Sequence, residues 1–527
     1  MADTQNVAAT SCMLGFDGAT VIEPRLLSPT GFTMPFGALL LDRHARRMLA
    51  PCDLLVELAL LKSNVTSLSA RALGLFNTLA EVPEWIHKLT SLTRLDLSGC
   101  KSLTRLPESM GQLAALASLD LRVCSSLTGL PESLGNMTAL KTLHLSSCSS
   151  LTALPDDMMG QLTALKTLDL RSCISLTALP DSIGQLTALG TLHLSSCSSL
   201  TALPDSTGQL TALKTLCLHS CSSLTALPDS MGQLTGISTL GLHSCNSLTT
   251  LPDSMGQLAA LKALDLHSCS SLTALPDSIG QLTALTALDL YSCWSLTALP
   301  DSMGQLTALE TLDLSFCRSL TVLPDSMGQL TALKTLDLQS CRSLTALPDN
   351  TMGLLTALST LNLQSCWSLT ALPDNTMGQL TALETLNLQS CRLLAALPDS
   401  MGQLTAIKAL DLQFCSLLTA LPDSMGQLTA LEMLNLRSCR SLTALPDSMG
   451  RLTALRTLDL QSCRSLTALP VSMGQLAALK TLNLQVRREI KRSERKTEKK
   501  KKKKREKERE RAKEKKRKGG EKEKKRR

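Results

Sequence analysis

Aromatic residues make up only 2% of this 527-residue chain: three Trp, one Tyr and six Phe. A core of stacked rings is excluded, and leucine must do the packing. No apolar run approaches ~18 residues, so no transmembrane helix is expected. The opening MADTQNVAATSCMLGFDG has neither a basic n-region nor an apolar h-region, which argues against a secretory signal. The chain contains no Gly-Lys pair, so it has no phosphate-cradling G-x-x-x-x-G-K-[ST] loop. Nor does it contain G-x-S-x-G, H-E-x-x-H or a kinase signature. No catalytic set, cofactor site or metal site is expected.

Charge is present but unevenly placed. Residues 487–527 hold 26 Lys/Arg and 9 Asp/Glu, leaving 27 basic and 36 acidic residues for the rest of the chain. A mildly acidic body therefore carries a strongly basic tail, although the net charge is only +8. Cysteine is also patterned. Of 19 cysteines, 16 stand at one position of an internal repeat, from Cys100, Cys124 and Cys148 to Cys463. Disulfide scaffolds show irregular, paired spacings. One cysteine per repeat reads instead as a column of buried thiols, each behaving as a small hydrophobe with a weak S–H donor. A reducing compartment follows, and with it an intracellular expectation, cytoplasmic or nuclear.

The repeat is carried by LPDSMGQLTALKTLDLQSCRSL at 323–344 and its near copies. Successive Leu/Val-Pro landmarks from Pro83 to Pro470 are separated by 16 intervals, 13 of 24 residues and three of 25. The long intervals follow Pro155, Pro348 and Pro373, and place the extra residue beside the proline or in the turn, where the strand need not move. In LKTLDLRSCISLTAL (165–179), Leu168 and Leu170 alternate with Thr167, Asp169 and Arg171, a period-2 strand signal. Leu165, Cys173, Leu176 and Leu179 complete an apolar frame. Pro180, Asp181 and Ser182 then open a short helical turn in which Asp or Ser is expected to cap free N–H groups. Ile183 and Leu186 turn inward. One repeat cannot bury this set; a stack can.

These residues spell L-x-x-L-x-L-x-x-C-x-x-L-x-x-L-P, and 17 L-x-x-L-x-L units run from Leu92 to Leu484. The chain is thereby identified as a leucine-rich repeat protein. The segment LDLSGC-x-S-L-x-x-LP-x-S-M-G-x-L (95–113) resembles the leucine-rich repeats of plant intracellular disease-resistance receptors, and Asn77-Thr78-Leu79 before Val82-Pro83 resembles the asparagine form of cytoplasmic Ras-pathway scaffolds. The resemblance covers about 77–486 and lacks the receptors' nucleotide-binding domain. It implies an α/β solenoid, a curved horseshoe of about 17 repeats with parallel strands on the concave face and short helical turns on the convex face. Strands ~4.8 Å apart give an arc roughly 80 Å long. The organisation expected is a mostly disordered segment 1–50, an N-terminal cap with a degenerate first repeat at 51–91 (a short helix over 53–62), the repeat domain 92–486, and a tail 487–527 that is disordered or a single helix.

Function must lie where the repeats differ. The residue following Leu-x-Leu reads His219, His243, His267, Tyr291 in successive repeats, with Cys217 and Asp265 in the neighbouring column. His, Cys and Asp are all metal ligands. In-register parallel strands are expected to keep these side chains parallel, and duplication copies a histidine as readily as a serine; a pH-sensitive binding patch is favoured over a metal site. The residue after the repeat cysteine reads Trp294, Arg318, Arg342, Trp367, Arg392, and Phe316 stands one place before its cysteine. Trp, Tyr and Arg dominate protein-binding hot spots, so a Tyr291–Trp294–Arg318–Arg342–Trp367 ridge is the best candidate; drift on a solvent-facing loop is the plain alternative. In the tail, Lys499, Lys500, Lys501, Lys502, Lys503, Lys504 and Arg505 form a nuclear-localisation or polyanion patch with no aromatic to stack a base. The expected function is a non-enzymatic scaffold or recognition module for a protein partner, in defence or intracellular signalling. The alternative is a nuclear or nucleic-acid-associated scaffold acting through the tail.

Overall fold

The computed structural model describes residues 65–72 and 74–484, together with the backbone of two short strands, Arg25–Leu27 and Thr33–Pro35, which pair antiparallel. The expected helix at 53–62 and the basic tail lie outside the described residues. From Ser67–Ser69 to Thr481–Asn483 the chain lays down 18 three-residue strands in one parallel sheet. Each strand pairs with the next in strict register, as in Thr311↔Thr335, Leu312↔Leu336 and Asp313↔Asp337. The first strand pairs only with Arg94–Asp96 and the last only with Thr457–Asp459, so the sheet is open.

The register explains the core. Each internal repeat buries its Leu-x-Leu pair and flanking leucines against their equivalents in the neighbouring repeats, while Leu482 and Leu484 of the last strand stay exposed. Leu165, Leu168, Leu170, Cys173, Leu176, Ile183 and Leu186 are all fully buried. The chain leaves the strand through a left-handed residue before the cysteine, such as Ser292 (φ 59°) or Phe316 (φ 63°). The N–H of that residue bonds the following repeat, as Phe316 N–H does to the Gln339 carbonyl at 2.6 Å.

The cysteine column is structural. The Cys317 thiol donates to the Leu290 carbonyl of the preceding repeat at 3.2 Å, and the same bond recurs from Cys124 to Cys463. Burial pushes the Cys317 thiol up to about 12. The thiolate is the nucleophile, so alkylation of native Cys317 at pH 8 should run at least about 10³-fold slower than in the unfolded chain. Mass spectrometry after brief iodoacetamide treatment, with and without guanidinium, checks this. Rapid native labelling of Cys317 would contradict the packing.

The turns depart from expectation in one respect. Pro300 takes the N-cap position of the 3-10 turn Asp301–Gln305 with no side-chain cap hydrogen bond, and the same holds in the other repeats that begin with proline. In a few repeats the serine bonds across the interface instead, whereas the equivalent hydroxyls of Ser302 and Ser326 are buried without a hydrogen-bond partner. The Ser182 hydroxyl donates to the Asp156 carbonyl at 2.5 Å, and the Ser182 N–H donates to Asp156 Oδ1 at 3.0 Å. The inserted residues are absorbed locally. The first makes an α-helical turn, Asp156–Gln161; the other two shorten the 3-10 turns to Met352–Leu354 and Met377–Gln379. Strand register is unbroken at all three.

Candidate functional site

In most repeats the residue following Leu-x-Leu is held by an aspartate or asparagine two positions before it. Tyr291 N–H donates to Asp289 Oδ1 at 2.9 Å, Ser315 N–H to Asp313 Oδ1 at 2.8 Å, and Gln364 N–H to Asn362 Oδ1 at 3.1 Å. Aspartate and asparagine favour this local bond to a backbone donor two residues on. The sequence reading missed this role, although Asp or Asn recurs between the strand leucines in most repeats. It fixes the backbone at His267 and Tyr291, whereas Cys217 and Gly241 stand two positions before His219 and His243 and offer no such carboxylate or amide.

In-register pairing of the strands brings rings in that column together. His219 and His243 stack with centroids 3.9 Å apart and planes at 19°. His243 and His267 meet edge-on at 6.4 Å, and His267 stacks on Tyr291 at 4.5 Å. Phe316 extends the ladder to Tyr291 at 5.2 Å. The expected single ridge is thus divided: Tyr291 belongs with the histidines and Phe316, not with Trp294. The left-handed backbone at Phe316 turns its ring toward the ladder.

The remaining ridge residues form two clusters. The Arg318 guanidinium lies 5.2 Å from the Trp294 ring centre. Trp367 is flanked by Arg342 at 4.0 Å and Arg392 at 5.0 Å, from the repeats on either side. Cation–π pairs hold the long arginine side chains in place, which lowers the entropy cost of using them in a contact. Trp294 remains 48% exposed, in a chain whose large apolar side chains are otherwise mostly buried.

Carboxylates run beneath the ladder. Burial pushes Asp313 up to about 6, with Asp337 and Asp289 adding to the rise against the bonds from Ser315. Asp289 is also raised, again chiefly by burial. Asp265 goes the other way. Burial raises it, but hydrogen bonds from the His243 ring and the His267 N–H outweigh that, and its carboxyl sits below the usual range.

The expectation that parallel register would keep metal-ligating side chains apart fails at one place. His219, His243 and Asp265 each bring one donor atom into a group whose members all lie within 4.8 Å of one another. The cause is Gly241. It stands in register between Cys217 and Asp265, where neighbouring repeats have a side chain. A Cβ at 241 would fall on Cε1 of His219, so the His219 ring occupies space that any other residue would fill. His267 is left out of the group. Cys217 is buried in the column beside Gly241. The patch from Lys499 to Arg505 lies outside the described residues. Among those residues, no helix is long and apolar enough to cross a membrane.

An open sheet of identical short parallel strands, built one repeat at a time and carrying its variable residues on the strand side, defines a solenoid repeat protein. The family model described as a leucine-rich repeat region matches residues 59–172, 139–249 and 386–504, and two further leucine-rich repeat models match 331–393 and 308–330. A leucine-rich repeat protein of Leptospira interrogans is 30% identical across 76% of this chain and 98% of its own, with a TM-score of 0.53. The plant peptide hormone receptor RGFR1, solved in complex with RGF2, is 21% identical, covering 77% and 80% of the two chains with a TM-score of 0.43. An internalin from Listeria monocytogenes is 15% identical, covering 68% and 98% with a TM-score of 0.40. No curated protein matches the chain. The chain belongs to the leucine-rich repeat family, whose fold generally mediates protein–protein interaction and is generally a non-catalytic scaffold.

Proposed function

We propose that this chain is an intracellular recognition scaffold that binds a partner protein along the strand side and its adjoining edge, between residues 219 and 392. The observation that carries this reading is the gathering of its scarce rings. Tyr291, Trp294, Phe316 and Trp367 come from a chain with one Tyr, three Trp and six Phe, and they meet the histidine column and three arginines there. Affinity in such interfaces comes from a few aromatic and arginine anchors rather than from area. Trp294–Arg318 and Arg342–Trp367–Arg392 are two such anchors already held in place. Defence or intracellular signalling is the setting that the resemblance to plant receptors and Ras-pathway scaffolds suggests.

The test is affinity capture from the source cell's lysate on three baits: the full chain, the chain ending at residue 486, and the full chain with Trp294→Ala, Arg318→Ala, Arg342→Ala and Trp367→Ala. The expected result is a protein retained at high salt by the first two baits and lost from the third. Tail-driven binding to a polyanion instead falls steeply with ionic strength. Retention that requires the tail and dissolves with salt would reverse the reading in favour of a nucleic-acid-associated scaffold.

A further inference from the structure

We propose that His219, His243 and Asp265 form a binding site for a divalent transition-metal ion of the zinc class. This is separate from the protein-binding reading and does not depend on it. The strand-side face of each repeat is generic, but the 241 position is not. Gly241 pairs with Cys217 on one side and Asp265 on the other. The His219 ring settles over it and stacks on His243 at 3.9 Å. His243 Nδ1 lies 3.1 Å from Asp265 Oδ2. Two imidazoles and a carboxylate converge, and three protein ligands with a fourth position left to water is a common zinc arrangement.

The geometry is close but not closed. Donors around a tetrahedral ion with bonds of about 2.0–2.1 Å lie about 3.3 Å apart. The present donors lie within 4.8 Å of one another on three partly exposed side chains, so a bound ion would draw them closer together. Two nearby His–Asp pairs show why the site is confined to this repeat. At Asp169, the Arg171 guanidinium sits on the carboxylate at 2.7 Å and leaves His144 at 3.6 Å. At Asp289, His267 is 4.0 Å away and is stacked on Tyr291. Among the described residues, Asp265 is where a second ring, His219, gathers with a His–Asp pair, and no arginine ion pair is formed there. The repeat cysteines are poor competitors. Their thiols are buried and protonated, and they donate to carbonyls one repeat away, as Cys245 does to Leu218 at 3.1 Å.

The experiment titrates Zn²⁺, and separately Co²⁺, into the full reduced chain, reading calorimetric heat and the visible d–d bands of cobalt. The expected result is one equivalent of ion with a cobalt spectrum lacking a thiolate charge-transfer band. His243→Gln and His219→Gln should each weaken binding by more than about 100-fold, beyond the range that loss of an outer-shell partner costs. Gly241→Ala keeps all three ligands and should weaken binding comparably by displacing the His219 ring. His267→Gln should leave affinity within about twofold, as expected of a residue outside the ligand set. Zn²⁺ should raise the thermal midpoint of the native sequence and of His267→Gln only. Circular dichroism of each variant without metal separates a lost site from a lost fold. Two results would overturn the proposal: binding unchanged in His219→Gln, His243→Gln and Asp265→Asn, which places the ion elsewhere, or no saturable binding by the native sequence.

Discussion

Gly304→Ala should destabilise the folded chain by about 2–3 kcal/mol, while Gly474→Ala should leave it unchanged or slightly more stable. Both glycines occupy the same place in the same Met-Gly-Gln turn. Helix propensity alone would favour alanine at each by about 1 kcal/mol. What differs is the neighbour. A Cβ on Gly304 would lie 2.5 Å from the Ser326 carbonyl oxygen and 2.8 Å from the Ser326 Cβ, in the next turn of the stack. That oxygen is backbone and cannot rotate away, so the two turns would have to separate. At Gly474 nothing lies within 4 Å, because no described repeat follows it. Neither residue has a positive φ, so backbone strain does not enter. In a solenoid each repeat touches only its neighbours, so a wedge at one interface weakens coupling there. Urea unfolding should show a lower midpoint for Gly304→Ala, with a shallower transition as cooperativity is divided. Equal midpoints for the two variants would show that the turns have slack, and that close approach is not what glycine provides.

That glycine marks the boundary of what the residues alone disclosed. The period-2 leucines and the cysteine column announced their own positions, since one apolar pattern repeated at fixed spacing has few ways to bury itself. Leu168, Leu170, Cys173 and Leu176 all lie where the pattern put them. The turn chemistry was less legible. Proline followed by Asp-Ser resembles a capped helix start, but no side chain caps the turn: Ser182 bonds Asp156 of the preceding repeat, and the equivalent Ser302 hydroxyl is simply buried. Residue types at the site were also legible. Trp294, Trp367 and the arginines stood out against a background of near copies. Their pairing was not, because it turns on single-residue offsets and rotamers. Phe316 is one position off its column and reaches Tyr291; Arg392 lies a repeat beyond the expected ridge and closes on Trp367. The His219–His243–Asp265 group needed one missing side chain, at Gly241, which a column-by-column reading of parallel strands does not reveal.

Asp313→Asn should stabilise the chain at pH 7.5 by on the order of 2–3 kcal/mol, with the gain disappearing near pH 4. The Asp313 carboxyl is raised from 3.8 to about 6, first by burial and then by Asp337 and Asp289. Its folded form therefore holds a proton that the unfolded chain has already released. Stability from this group is fully present below the unfolded value of 3.8 and is lost as pH rises through about 6. At pH 7.5 the charged group is half-buried, with Asp289 and Asp337 in register on either side. Asparagine removes the charge and keeps the bond that matters. Asn362 occupies the equivalent place two repeats on, accepts from the Gln364 N–H at 3.1 Å, and donates to Asp337 Oδ2 at 3.0 Å. The same column carries asparagine at 387, 435 and 483. Subtracting native from variant curves cancels the contribution of other groups to first order. Thermal midpoints from pH 4 to 8 test the sign. A higher midpoint for the variant at pH 7.5 that converges on the native value near pH 4 fits a buried, mutually repelling carboxylate. A lower midpoint at pH 7.5 would mean that the Asp313 charge is compensated, and that the carboxylate column is a stabilising feature of the strand side.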